Sequence, residues 1–280
     1  MKRTVSILAG GLLCGVLSTA ALADDGRELV IDGETIATIA VAADDHPLDE
    51  IISGWRFRSA ETQALQMDDF ENPAFVAIEY AEEIWETPAG TSNKSCADCH
   101  GDADSFAGLR TKLPRWNDEM GKPATMEMLI NASIETHQGA EPWKWESAEM
   151  LAMTAMIGLQ SRGMPVALET DGPMADWIKK GEELYYTRVG LLNMACANCH
   201  EDNYGNMIRA DHLSQGQING FPVYRLKWGG LGSIHRRFKG CMDQVRAEPY
   251  KRGSDEFIAL EAYVASRGMG LSVETPSVRN

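Results

Sequence analysis

The chain has 280 residues and carries 41 acidic against 26 basic side chains, a net charge of −15 at pH 7. Such a balance argues against nucleic acid and anionic membrane surfaces as partners. Its length and a 44% hydrophobic content allow two domains of ordinary size.

The first residues read as an export signal. Lys2 and Arg3 precede an apolar run from Val5 to Leu17, and Ala21-Leu22-Ala23 supplies a small-x-small cleavage pattern before Asp24. Cys14 follows Leu13 rather than a small residue, so lipidation is not expected and this cysteine leaves with the signal. No later apolar run approaches the roughly 18 residues of a membrane span. The expected mature chain, Asp24 to Asn280, loses Lys2 and Arg3. Its 26 basic residues fall to 24 against 41 acidic ones, a net of −17. In a Gram-negative cell its place is the periplasm.

From Asp24 to about Gln66 helical periodicity is weak. Leu29-Val30-Ile31 and Ile36-Ala37-Thr38-Ile39 favour β structure, so this stretch reads as an N-terminal arm. From Pro73 to Trp85, Phe75, Val76, Ile78, Ile84 and Trp85 fit a helix.

Ser95 to His100 reads Ser-Cys-Ala-Asp-Cys-His, and 100 positions later Ala195 to His200 reads Ala-Cys-Ala-Asn-Cys-His. Cys-x-x-Cys-His is the attachment sequence of c-type haem. Two thiols one helical turn apart add to the two vinyl groups of a porphyrin, and the adjoining histidine ligates the iron. Cys96, Cys99 and His100 are therefore expected to hold haem 1, and Cys196, Cys199 and His200 haem 2. A structural zinc needs a second Cys or His pair close by, which neither copy has. A redox dithiol does not require the histidine.

The repeat extends beyond the motifs. Glu82-Glu83-Ile84-Trp85 matches Glu182-Glu183-Leu184-Tyr185, Ala140-Glu141-Pro142-Trp143 matches Ala247-Glu248-Pro249-Tyr250, and Ser161-Arg162-Gly163-Met164 matches Ser266-Arg267-Gly268-Met269. Each half reads helix, haem motif, long loop and C-terminal helix (Ser147 to Gln160; Ser254 to Ser266), and Met150, Met153 and Met156 fall at core spacing. The expected fold is mainly α, with two cytochrome c-like domains related by internal repeat and an irregular or β N-terminal arm. The divisions are a signal at 1–23, the arm and haem 1 domain at 24–170, and the haem 2 domain at 171–280.

Four of the five mature cysteines belong to the motifs, leaving Cys241. It lies in a run from Arg225 to Arg252 with eight basic residues and only Asp243 and Glu248 as acids. Positive neighbours favour the thiolate, which is both a better iron ligand and a better nucleophile, and they attract a small anion. Arg236, Arg237 and Lys239 are the candidate anion-binding residues; Arg237 offers a planar donor pair suited to an oxyanion. The repeat, with one inserted residue, sets Ser133 opposite Cys241. Haem 1 then needs another sixth ligand or stays open. His137 is the first candidate, followed by Met120, Met126 and Met128. His46, His212 and His235 read as surface or packing residues.

With Phe238-Lys239-Gly240-Cys241-Met242, the Ala140-Glu141-Pro142-Trp143-Lys144-Trp145 run and the Ser-Arg-Gly-Met endings, the chain resembles the SoxA family, dihaem cytochrome subunits of L-cysteine S-thiosulfotransferase. The resemblance covers essentially the whole mature chain. It implies a heterodimer with the monohaem cytochrome SoxX. It also implies oxidative attachment of thiosulfate to a cysteine of the carrier SoxYZ, with electrons passing to an electron-accepting cytochrome c. It implies further that Cys241 is both distal ligand of haem 2 and bearer of a persulfide, and that Arg237 binds substrate. Ser133 departs from relatives in which that region supplies a cysteine to haem 1. A dihaem electron carrier without catalysis and a dihaem peroxidase are the alternative functions.

Overall fold

The computed structural model describes residues 28–280, so the export signal, its cleavage site and Cys14 lie outside the described residues. The arm begins with two short antiparallel pairs, β1 (Leu29–Ile31) with β2 (Glu34–Ile36), and β3 (Ile39–Val41) with β4 (Glu50–Ile52). Leu29, Ile31, Ile36 and Trp55 close a small core of their own. The arm is not wholly irregular, because α1 (Ala60–Met67) is a helix there. Ser59 caps it by accepting from the Thr62 backbone N–H. Its largely polar sequence, Ala-Glu-Thr-Gln-Ala-Leu-Gln-Met, has too few apolar residues to show a 3.6 period.

The first repeat unit comprises α2 (Phe75–Glu86), the short α3 (Ala97–His100), the hairpin of β5 (Arg115–Asn117) and β6 (Lys122–Ala124), then α4 (Met126–Ser133) and α5 (Ala148–Leu159). The second has α6 (Pro173–Tyr186), α7 (Cys196–His200) and the two-residue pair β7 (Met207–Ile208) and β8 (Asp211–His212). It continues with the hairpin of β9 (Val223–Arg225) and β10 (Gly230–Gly232), then α8 (Ile234–Gln244) and α9 (Asp255–Ser266). A last strand, β11 (Ser277–Arg279), lies parallel to β9.

In both units a helix ahead of the haem motif packs on the C-terminal helix, α2 on α5 and α6 on α9. Close crossing needs a small residue at the contact. Ala81 is fully buried in α2, and at the position 100 residues later Gly181 leaves no room for a Cβ, which would overlap the Ala259 carbonyl and the Tyr263 side chain. Serines at the sequence-predicted starts of the C-terminal helices are their caps: Ser147 accepts from Met150 N (3.3 Å) and Ser254 from Phe257 N (3.4 Å). α5 is buried from Met150 to Gly158, so Met150, Met153 and Met156 are core residues as their spacing predicts.

The stretch between the units pairs with the chain's last segment. Val166 N bonds to Leu271 O (2.9 Å) and Val273 N to Met164 O (2.9 Å). That segment also reaches the arm through buried Glu274, which accepts from Ser53, Gln66 and Arg279. Among the described residues no helix is long and apolar enough to cross a membrane.

Candidate active site

Each Cys-x-x-Cys-His segment is wound into one tight helical turn. At the first, Cys99 N and His100 N both bond to Cys96 O (3.2 and 2.9 Å), which sets the two thiols one turn apart. The intervening residues hold the turn. Asp98 Oδ2 accepts from Ser95 N (2.8 Å), and Asn198 Oδ1 accepts from Ala195 N (3.0 Å) in the second copy. The five cysteines of the described residues are all free of disulfides.

At the first turn, Cys96, Cys99 and His100 line a cavity of about 450 Å³ whose walls include Phe106, Met126 and Ile130. A mainly apolar space of this size, with two thiols and an imidazole on one side, fits a covalently held porphyrin. Trp85 braces the turn by donating from Nε1 to Gly101 O (2.9 Å), and its ring lies 6.0 Å from that of His100. Burial, with a smaller contribution from the charge of His137, holds His100 below its ordinary pKa, which favours the neutral imidazole that a metal requires.

The side chain facing His100 is Ser133, its Oγ 3.3 Å from Nε2. His137, expected as the ligand of haem 1, lines the same cavity from an exposed position on a π turn, Ile134–Gln138, that prolongs α4. Gln138 in that turn points its Nε2 at Cys96 Sγ (3.6 Å). Of the methionine candidates Met126 also lines the cavity.

At the second turn the proximal histidine is more firmly set. His200 Nδ1 lies 2.7 Å from the Ser214 carbonyl, so Nδ1 carries a proton that fixes the ring and leaves Nε2 as the atom that would meet an iron. Gly216, with φ +81°, passes so close beneath this ring that a Cβ there would stand 3.0 Å from it. Cys241 on α8 meets His200, and Arg237 precedes Cys241 by four residues, hence on the same helix face.

Electrostatics divide the thiols of this site. Burial pushes the Cys196 thiol up to about 12. Burial opposes the Cys241 thiolate too, but the Arg237 charge, a hydrogen bond and charge from His200, and the Arg225 charge outweigh it and bring Cys241 down to about 6. Arg225 escaped the sequence reading as an individual residue, because nothing local shows that β9 delivers it to α8. It is buried, donates from Nε to Asn280 O (2.6 Å) and from Nη2 to Asp211 Oδ2 (3.2 Å), and lies 5.1 Å over the Trp228 ring. Asp211 is shared with Arg58, drawn in from the arm.

Two of the three candidate anion-binding residues are otherwise engaged. Arg236 stacks 4.2 Å over Trp228 and donates to Leu231 O, and Lys239 pairs with Asp243 at 2.9 Å. They stand five and two residues before Cys241, off its helix face. Arg237 and Arg225 are the two guanidinium groups whose charge reaches Cys241.

The chain matches the family model described as SoxA/TsdA, cytochrome c domain, over residues 80–166 and 180–273, two segments with one Cys-x-x-Cys-His turn each. It is 49% identical over 283 residues to the L-cysteine S-thiosulfotransferase subunit SoxA of Rhodovulum sulfidophilum, covering 99% of both chains. The chain belongs to the SoxA family. The SoxA subunit of Paracoccus pantotrophus is 48% identical over 285 residues, 99% of this chain and 98% of the relative. The crystal structure of SoxXA from P. pantotrophus superposes with a TM-score of 0.87 at 50% identity, over 90% of this chain and 98% of that one. Membership of the SoxA family brings with it a covalently bound c-type haem, the group the cavity and the paired thiols fit.

Proposed function

We propose that this chain is the dihaem subunit of a periplasmic L-cysteine S-thiosulfotransferase that attaches thiosulfate to a carrier cysteine. The relatives' shared name supports the activity, and the SoxXA structure supports a SoxX-like monohaem cytochrome as partner. The observation that carries the reading is Cys241, facing His200 with its thiolate favoured by Arg237 and Arg225.

Cys96, Cys99 and His100 would hold haem 1, and Cys196, Cys199, His200 and Cys241 would hold haem 2. When bound, the haems would supply one-electron redox steps at low cost in rearrangement. Arg237 takes the sulfonate oxygens of the thiosulfate dianion through its planar guanidinium, placing the outer sulfur against Cys241 Sγ. Arg225 adds charge and is held by Asp211 and Asn280, so it does not collapse onto the substrate. An S–S bond forms between Cys241 and thiosulfate with loss of two electrons, which leave singly toward an electron-accepting cytochrome c. A thiolate of the SoxYZ-type carrier then attacks the outer sulfur of that disulfide. The carrier gains the S-thiosulfonate and Cys241 returns as thiolate, so atoms and electrons balance.

Intact mass of the holo-chain should show two covalent haems. Cys241→Ala should keep both haems and lose thiosulfate-dependent haem reduction in the presence of the carrier and the partner cytochrome. If that reduction survives the substitution, the chain is an electron relay and the transferase reading falls.

A further inference from the structure

The two units differ at one place that decides what their haems can bind. α4 and α8 begin at equivalent points, each after a hydrogen-bonded hairpin, and Ser133 and Cys241 are the eighth residues of their helices. Both face the histidine of their own motif, Ser133 at 3.3 Å from His100 Nε2. A thiolate in that position ligates iron; a neutral serine hydroxyl is a weak ligand but a good hydrogen-bond donor.

We propose that Ser133 serves haem 1 as a hydrogen-bonding group rather than a metal ligand: its hydroxyl exchanges the 3.3 Å contact with His100 Nε2 for one to a small monoanion of the azide or hydrosulfide class bound in the distal space. The surroundings favour an anion. Lys112, Arg115 and His137 line the cavity, and no Asp or Glu is among its lining residues. The Ser133 hydroxyl, freed from coordination, can donate to the bound atom. His137 is exposed at the wall, four residues further on along the π turn, and its natural part is to face the entering anion. The inference rests on haem attachment at Cys96 and Cys99, which intact mass reads separately from spin state.

The experiment uses the ferric holo-chain with azide as the probe. A high-spin signal equivalent to a single haem per chain is expected by electron paramagnetic resonance, and azide should convert it to low spin. Ser133→Cys should abolish both the high-spin signal and the azide response while the Cys241-ligated haem keeps its spectrum. His137→Ala should leave the signal high-spin and weaken azide binding, and it keeps the test decisive should Ser133→Cys fail to fold. A wild-type chain that is wholly low-spin and silent to azide, and becomes high-spin in His137→Ala, would make His137 the sixth ligand and overturn the proposal. A mass with only one haem overturns it too, together with the dihaem reading.

Discussion

Ser133 and Cys241 occupy the same station, the eighth residue of α4 and of α8, each turned to the histidine of its own Cys-x-x-Cys-His motif. Downstream of it the units differ by one residue: seven positions separate Ser133 from Ala140, and six separate Cys241 from Ala247. The first unit takes up the extra residue in the π turn Ile134–Gln138, where a widened turn absorbs an insertion without breaking the helix. That turn carries His137 into the cavity wall and brings Gln138 against Cys96. A single insertion thus gives the first Cys-x-x-Cys-His turn surroundings of its own, while the second unit keeps a plain helix.

Arg237 and Cys241 share a helix face, so removing the guanidinium should act on substrate capture and on the thiolate together. Charge-assisted hydrogen bonds to an anion contribute about 1.5–3 kcal/mol, which corresponds to a loss of roughly ten- to a hundredfold in kcat/KM for Arg237→Ala. Arg237→Lys should restore part of it, since lysine keeps the charge and loses the planar fork. Arg236→Ala and Lys239→Ala should stay within about twofold of wild type, because their partners are Trp228, Leu231 and Asp243 and the Lys239 pair is exposed. Steady-state kinetics on all four variants check this. Equal losses for all three alanine variants would mean that overall basic charge, rather than one positioned arginine, captures the anion.

Gly181 should tolerate no side chain. Its Cα lies against the Ala259 carbonyl at the α6–α9 crossing, so Gly181→Ala forces the helices apart. Overpacking of this kind costs about 1–3 kcal/mol. The expected outcome is a fall in Tm of the holo-chain with haem content unchanged. A Tm equal to wild type would show that the crossing can open without loss.

What the sequence disclosed was what is local in it. The two haem turns, Cys241 and the repeat were legible because their chemistry is written within a few consecutive residues. The helices from Phe75, Ala148 and Asp255 were legible because they bury one face or more against a core. α1 was not, since it lacks an apolar stripe. The basic run around Cys241 shows a different limit. Counting charges along the chain gave Arg236 and Lys239 equal standing with Arg237, and only the phase of α8 about its axis separates them. Arg225 was hidden for a third reason: only the tertiary fold brings its charge to Cys241, and Asp211, Trp228 and Asn280 fix the guanidinium. The cavity beside His100 was the least legible, since the repeat named Ser133 but the π turn that sets His137 is a property of the backbone.

The units also meet in a buried ionisable cluster that no linear reading would assemble. Glu127 of α4, 5% exposed, accepts from Thr125 Oγ1 (2.8 Å). It feels the charge of Glu261 of α9, whose Oε2 lies 3.1 Å from His235 Nε2. His235 accepts from Gly253 N through Nδ1 (3.0 Å) and stacks on Trp145 at 4.8 Å, and buried Arg110 approaches both carboxylates from the first unit. Burial, then the neighbouring Glu261 charge, raises the Glu127 carboxyl above its ordinary value of 4.5, with His235 opposing. As pH rises past about 4.5 the unfolded chain therefore gives up this proton before the folded chain does. The folded state then holds the extra proton, so this group's contribution to stability declines with rising pH until the folded value is passed. Glu127→Gln keeps the acceptor for Thr125 and removes the titration. Thermal unfolding of the holo-chain across this range should show the variant gaining on wild type as pH rises, with the smallest difference near pH 4.5. Parallel curves for the two proteins would mean that Arg110 or His235 compensates the charge fully and that Glu127 stays ionised in the fold.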